Sequence, residues 1–564
     1  MSKEKRNPHV DSLKAQFAEG KIDRREFLRF ATLMGLSATA AYAFVGKVTG
    51  EDFVAPARAQ ATMPKGGTLR LGSRIKDIKN PHTYSWGAWD SNISRQVCEY
   101  LTLTDEHSVT HPYLLEKWEP SADLKTWTLH VRKGVKWRNG KPFTADDVVW
   151  NIKQCLDPDV GSSVIGLMKG YMLEEYDTGQ KDEKGNPKKS TRLWDANAIE
   201  KVDDFTVRLN GKAPQIAVPE HLFHYPLAIL NPEDKGVFVP GAQGTGPFEL
   251  TEFELGKKAV VKARKGYWGE AAHLDAIEFI DMGDDPSAAI SAMASKQVHG
   301  LVSVDPVQYD ALKALPHVQL FQVPTAETAV MRVKVTEKPF NDPRVRKAMR
   351  LAIDSAPIVQ VALRGLGLAG EHHHVSPAQP DYFKLKPWKR DVAAAKKLLA
   401  EAGYPNGFDA ELYCPKDPPW NGAESQAAIE QWKEAGIRIK LNIMPGQEYW
   451  DVWAKVPMGT TIWYHRPLGV MLLGLAYRTG VPWNESSYSN PEFDKLLAEA
   501  EGTVNLEKRK AIMAKIEEIM QEDGPIVQPL WRSNFTFYDK RVKGFTVHPT
   551  NYIFGNKLAL AASA

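Results

Sequence analysis

Apolar residues recur along this chain at two different spacings, and the spacings alternate. Residues 68–72, 206–209, 277–281, 319–323, 437–443 and 526–530 read as strands, whereas 291–300, 391–403 and 508–522 carry their apolar residues at helical intervals. Alternation of this kind predicts an α/β fold built as lobes. The densest local signal lies between Trp118 and Pro158. Residues 126–131 alternate around Trp127 as a half-buried strand, and Arg138-Asn139-Gly140-Lys141-Pro142 supplies the turn, since Asn-Gly tolerates positive φ and proline ends a ladder. Thr144 then caps a helix, with Asp147 three residues on and Val148, Ile152 and Leu156 on one apolar face. Asp342-Pro343 and Asn490-Pro491 repeat another helix start, a capping side chain followed by proline at the first helical position.

A chain of 564 residues exceeds what one core serves, so at least two domains are expected. With 43% hydrophobic and 25% charged residues and a net charge of +3, the composition is globular and gives no reason to invoke nucleic acid or an anionic bilayer. The run 181–189 is a solvated loop insertion. No internal repeat and no low-complexity segment interrupts the pattern. Cys98, Cys155 and Cys414 are odd in number and widely spaced, which excludes a fully paired disulfide framework. One bridge, Cys98 to Cys155, stays open as an alternative to three buried thiols.

The order of residues from Trp118 through Ser121, Asp123 and Trp127, then Arg132-Lys133-Gly134-Val135 and Gly140-Lys141-Pro142-Phe143-Thr144-Ala145 to Val148, closely resembles a known signature. It is that of the extracellular solute-binding proteins of the peptide, opine and nickel ABC importers. Gly244-Thr245-Gly246-Pro247-Phe248, the Arg264–Trp268 block, Lys338-Pro339-Phe340-Asn341-Asp342 with Arg344-Val345-Arg346, and Asn490–Asp494 are similar to further motifs of that family, in its order. The resemblance implies a large, type II-like periplasmic binding protein fold of two lobes with an extra subdomain in the first. Residues 62–100, 195–283 and 526–564 are assigned to lobe I, 101–194 to the extra subdomain and 284–525 to the central lobe II, with crossovers at 281–284 and 523–528. It also implies a monomeric, periplasmic substrate-binding component that captures a peptide or peptide-like solute between its lobes and delivers it to an inner-membrane permease, with neither chemistry nor a cofactor.

Residues 1–61 carry the address. A polar start, Arg24-Arg25-Glu26-Phe27-Leu28, an alanine-rich apolar run over 30–46 and small residues at 57–61 resemble a twin-arginine export signal read by the twin-arginine translocase. The apolar run is shorter than the ~20 residues of a membrane span. No cysteine near the expected cleavage site offers a lipid anchor.

The ligand is where the chain departs from its resemblance. Peptide-binding members place an acid in the central lobe to pair with the peptide's ammonium group, but the comparable stretch 461–469 has none and carries His465 and Arg466. Arg332 and Lys334 similarly stand where a neutral pattern is usual. Cations facing a cleft need an anionic partner, which a ligand carboxylate supplies through arginine's planar fork. An anionic solute is therefore expected, with protein acids or solvent as the competing partners of these side chains. Aromatic residues extend the candidate site to Tyr84, Trp86 and Trp89 after the first strand and to Trp463, Tyr477 and Trp483 in the central lobe, while Trp127 and Trp137 are assigned to the core. His372-His373-His374 is expected on a surface or lobe-rim loop, because consecutive side chains diverge too far to share one metal ion, and no metal site is assigned. His465 leaves a metal-chelate binder, like an opine binder, as an alternative. An exported glycoside hydrolase is the remote one: the acid pairs Asp146-Asp147 and Asp284-Asp285 sit at a helix start and an expected crossover, and no nucleophile elbow, zinc helix or phosphate loop is present.

Overall fold

The computed structural model describes residues 7–50, 63–83, 88–181 and 187–562. Strand Thr68–Ser73 runs parallel to Ala276–Asp281 and to Gly300–Leu301, and Lys258–Ala263 and Phe248–Glu254 extend the sheet antiparallel on one side. On the other side the strand Val318–Val333 changes partners part-way. Val318 to Pro324 pair with the strand Leu530–Asp539, whereas Thr328 to Val333 pair with Met458–Trp463, and the first register slips between Pro324 and Glu327. The returning chain does the same in reverse: Ile526–Val527 pairs with Met331 and Arg332 before Leu530–Asp539 rejoins the first set. Two parallel neighbours, Phe408–Pro415 and Ile437–Met444, complete the central half.

These pairings place residues 284–323 differently from the sequence expectation. Gly300–Leu301 lies beside Thr68–Ser73, and Val298, Leu312 and Val318 share an apolar cluster with Phe535 and Phe537. This segment therefore packs with the amino-terminal sheet and not with the central block. We place the first crossover at Pro324–Glu327, where one strand switches sheets, and the second at Gln528-Pro529. The signal for the first was a proline inside an apolar run, which removes a ladder donor and marks a bend.

The signature segment forms the strand Thr126–Val131 and the helix Ala145–Leu156, with the Asp147 carboxylate accepting the Thr144 N–H at 2.8 Å. Trp127 and Trp137 are core residues. The motifs are stitched to one another. The Arg264 guanidinium donates to the carbonyls of Gly244, Lys136 and Trp137, and a Cβ on Gly244 would lie 2.0 Å from the Val97 carbonyl oxygen, so only glycine permits that approach.

Cys98, Cys155 and Cys414 are free and buried, so the Cys98–Cys155 bridge does not form. Burial pushes all three thiols up, that of Cys414 to about 12. The amino-terminal segment forms helices Pro8–Ala18, Arg24–Leu33 and Ala38–Thr49, and the small-residue site at 57–61 lies outside the described residues. Among the described residues no helix is long and apolar enough to cross a membrane.

Candidate functional site

The strand Met458–Trp463 ends against the point where Val318–Val333 slips register, and Tyr464-His465-Arg466-Pro467-Leu468 turns the chain into the helix Gly469–Ala476. Asp381 holds this turn by accepting the Gly469 and Val470 N–H groups at 2.8 and 3.2 Å, and Gln379 donates to the Arg466 carbonyl at 2.8 Å. The slip frees the Ala326 N–H, which donates to His465 Nδ1 at 3.0 Å. Since Nδ1 accepts, the neutral ring carries its proton on Nε2, and that atom has no partner among the described residues. Burial first, then the His548, Arg29 and Arg466 charges, hold His465 well below the usual imidazole range.

Around this turn lies a cavity. Glu220, His224 and Tyr225 form one wall, Tyr464 to Pro467 a second, and His548 and Tyr552 of the carboxy-terminal segment a third. Arg466 is 5% exposed. Its Nη1 donates to the Tyr464 and His465 carbonyls, its Nη2 to the Tyr225 hydroxyl at 3.2 Å, and its guanidinium carbon sits 5.1 Å from the Tyr225 ring centre. Its Nε has no hydrogen-bond partner, and no carboxylate pairs with it among the described residues. The carboxyl sharing this cavity, Glu220, is pushed up to about 8 by burial despite the opposing Arg29 charge. At neutral pH the site thus combines a permanent cation, neutral imidazoles and a carboxyl that keeps its proton. A second cavity shares Ala88 and Tyr464 with the first and brings together Arg74, Trp89, Asp305, Trp420 and Arg532. Its cations are already matched: Arg532 pairs with Glu327 at 3.1 Å and Arg74 with Asp284 at 2.6 Å.

The structure divides the residues expected at the site. His465 and Arg466 line the first cavity, and Trp89 the second, where the Arg74 guanidinium lies 5.2 Å over its ring. Arg332 does not reach either. It is fully buried, pairs with Glu485 at 3.2 Å and donates to the Val456 and Trp453 carbonyls, so a protein acid takes the place expected for a ligand. Trp463 and Trp483 pack edge to face at 5.8 Å, the Trp463 indole donates to Glu485, and the Tyr477 hydroxyl bonds His374 Nδ1 at 2.6 Å. These three aromatic residues and Lys334 line neither cavity; Trp463 and Tyr477 belong to an apolar cluster that also holds Trp127 and Leu497, and Trp483 packs against it. Tyr84 and Trp86 lie outside the described residues. His372, His373 and His374 are not on a rim loop: all are completely buried and diverge, to Gln528, to Glu371 and to Tyr477. No cluster of metal-ligating side chains occurs among the described residues.

Glu220, Tyr225, His548 and Tyr552 were not anticipated. The concentration of histidine and aromatic residues over 221–225 was a usable local signal; His548 and Tyr552 carried none, because only tertiary folding brings the carboxy-terminal segment there.

A family model for bacterial extracellular solute-binding proteins, family 5 (middle), matches residues 109–473. The chain belongs to this family. The dipeptide-binding protein of Escherichia coli strain K12 is 26% identical over 472 residues, covering 78% of this chain and 84% of that protein. Among solved structures, the periplasmic binding protein DppA of Helicobacter pylori, in complex with the peptide STSA, superposes with a TM-score of 0.74 at 20% identity, covering 88% of this chain and 98% of its own. The binding protein AgaA from A. tumefacien R10, in complex with agropinic acid, gives 0.76 at 21%, covering 88% and 99%. The chain is a solute-binding component of an ABC importer with the two-lobed fold of these proteins, and its relatives are binding proteins, not enzymes.

Proposed function

We propose that this solute-binding protein captures a small anionic solute, peptide-like or opine-like, with the anion seated on Arg466. The observation that carries this reading is a buried guanidinium that lines a cavity and, among the described residues, has no carboxylate partner and no hydrogen-bond partner for its Nε. A buried cation is costly unless paired, and a ligand carboxylate matches its planar fork. Support comes also from AgaA, whose ligand there is agropinic acid. Tyr225, Tyr464 and Tyr552 offer the aromatic walls usual for small ligands. A solute touching both halves favours their closed arrangement by the difference in its affinity for closed and open forms, and the closed form is the one that docks on the inner-membrane permease. The protein acts as a monomer in the periplasm, exported by the twin-arginine route through Arg24 and Arg25.

A metal chelate is the second reading, and His465 bears on it. An imidazole whose Nδ1 accepts a backbone N–H has its proton on Nε2 and no lone pair to give a metal from that atom. Direct ligation by His465 is therefore opposed, while a chelate held through its own carboxylates suits Arg466 equally well.

Native mass spectrometry of protein taken from its own periplasm identifies the retained solute, and calorimetric titration with and without a chelator then tests the site. Arg466→Ala should weaken binding by about 1.5 to 3 kcal/mol, the range for a hydrogen bond to a charged group. Affinity unchanged by Arg466→Ala would refute the proposal.

A further inference from the structure

The three consecutive histidines line neither cavity, yet they begin a buried strut that reaches both crossovers and the turn carrying Arg466. His372 and His374 have φ of +63° and +73°, in the left-handed region that residues other than glycine rarely enter. The chain thus turns on either side of His373, and the three rings leave toward different elements. His373 Nε2 lies 2.8 Å from the Glu371 carboxylate and His374 Nδ1 2.6 Å from the Tyr477 hydroxyl. His372 takes the second crossover. Its N–H donates to the Gln528 side-chain oxygen at 3.2 Å, and its Nδ1 accepts the Gln528 N–H at 3.0 Å. The Gln528 side-chain amide donates in turn to the Thr328 hydroxyl at 3.2 Å, just past the first crossover, and to the Leu530 carbonyl at 2.6 Å. Four residues after His372, the Ser376 hydroxyl donates to the Thr325 carbonyl, inside the first crossover, at 3.1 Å, and the Ser376 N–H to the Gln379 side-chain oxygen at 2.9 Å. Gln379 then holds the Arg466 carbonyl, and Asp381 the Gly469 and Val470 N–H groups. His465 completes the ring of bonds by accepting the Ala326 N–H. His372, Ser376, Gln379, Asp381 and Gln528 are all buried, so a displacement of the turn either leaves buried polar groups unpaired, which is costly, or carries the crossovers with it.

We propose that His372, Gln379 and Asp381 are positioning residues for solute binding: they hold the turn that carries Arg466 in fixed register with both crossovers. A solute seated on Arg466 then acts, through this strut, on the two places where the chain passes between its halves. The proposal rests on Arg466 being the seat of the solute. None of the three positioning residues lines the cavity, so their effect on affinity is exerted through the turn and not by contact.

The test cuts the strut at either end of the full chain and reads the other end. In His372→Leu, hydrogen exchange should accelerate about fivefold or more over 526–530 and also over the turn 465–470; in Gln379→Leu it should accelerate by a similar factor over the turn and also over 526–530. His372→Asn tolerates the left-handed backbone and offers an oxygen to the Gln528 N–H, so it should restore wild-type exchange at both ends. The strands Thr68–Ser73 and Ile437–Met444 should be unaffected throughout. Calorimetric titration with 3-phenylpropionate, an aromatic carboxylate suited to Arg466 and the tyrosine walls, should show both leucine variants binding about three- to tenfold more weakly and His372→Asn binding like wild type. Acceleration confined to the altered end, or spread equally into the two control strands, would overturn the coupling, as would an asparagine variant that behaves like the leucine one. If Arg466→Ala leaves probe affinity untouched, the solute-site reading fails, while the exchange comparison still judges the strut.

Discussion

Replacing Glu220 by glutamine should change how the stability of the protein depends on pH, and the structure fixes the sign. Burial raises the Glu220 carboxyl to about 8, with Arg29 and Arg509 pulling it down and Asp381 pushing it up. In the unfolded chain the same group titrates near ~4.5. Below that pH both states hold the proton and folding is unpenalised. Between ~4.5 and about 8 the unfolded chain releases its proton while the folded one keeps it, so stability falls as pH rises, by up to about 1.4 kcal/mol per pH unit. Summed over the window this is on the order of 5 kcal/mol as an upper bound, and roughly half survives if the site relaxes. Glutamine keeps the shape and removes the titration. Guanidinium unfolding of both proteins at pH 5 and pH 8.5 should therefore show the variant gaining about 2 to 5 kcal/mol relative to wild type at the higher pH. Other groups cancel in this difference. Glu517, raised to about 9 by burial, acts in the same sense in both proteins, whereas His82, His299 and His548, lowered to about 4, cost stability in both as pH falls below 6.5. A difference between variant and wild type that does not change with pH would refute the assignment of a protonated Glu220.

Two further outcomes follow from contacts remote from the cavity. Glu485→Gln leaves the fully buried Arg332 without its counter-ion and should destabilise the fold by about 3 to 5 kcal/mol in chemical denaturation, with solute affinity unchanged in the fraction that folds; a loss under ~1 kcal/mol would mean that the Val456 and Trp453 carbonyls suffice. Cys98, Cys155 and Cys414 should resist a thiol-specific reagent in the native protein and all react once it is denatured, with no change in melting temperature on adding reductant. A reductant-sensitive melting temperature would reveal a disulfide.

What the sequence disclosed about the fold was local chemistry. Thr144 with Asp147, Asp342-Pro343 and Asn490-Pro491 are helix starts whose reasons lie within four residues, and each forms where expected. Gly244 was recognisable as part of a motif, but its cause, the Val97 carbonyl against which no Cβ fits, comes from a residue far away in the chain. The first crossover failed for the opposite reason. Asp281 to Asp284 looks like a boundary because a strand meets acids and glycine, yet the segment after it packs back on Phe535 and Phe537, and the change of partners comes at Pro324–Glu327, just past the 319–323 strand, within a strand that continues to Val333.

The candidate site shows the same division at the level of charge. Arg332 and Arg466 look alike in the sequence, two cations where a neutral or acidic residue was expected, and both are buried. Their partners separate them. Arg332 lies on a strand whose neighbours bring Glu485 within 3.2 Å, so its charge is neutralised inside the protein and the residue becomes structural. Arg466 lies three residues past the end of a strand, in a turn held by Asp381 and Gln379, and among the described residues its partners are carbonyl and phenol oxygens. Its burial is then compatible with stability only if a counter-charge arrives from outside or the carbonyls, the Tyr225 ring and a protonated Glu220 together lower its cost in the empty site. Ionising Glu220 changes that balance. Above about pH 8 a carboxylate enters the same cavity, and an anionic solute must bind beside like charge, so affinity should decline there in wild type and hold in Glu220→Gln. A decline of equal size in both proteins would place the titrating group elsewhere, and leave Arg466 without the neutral carboxyl that this account sets beside it.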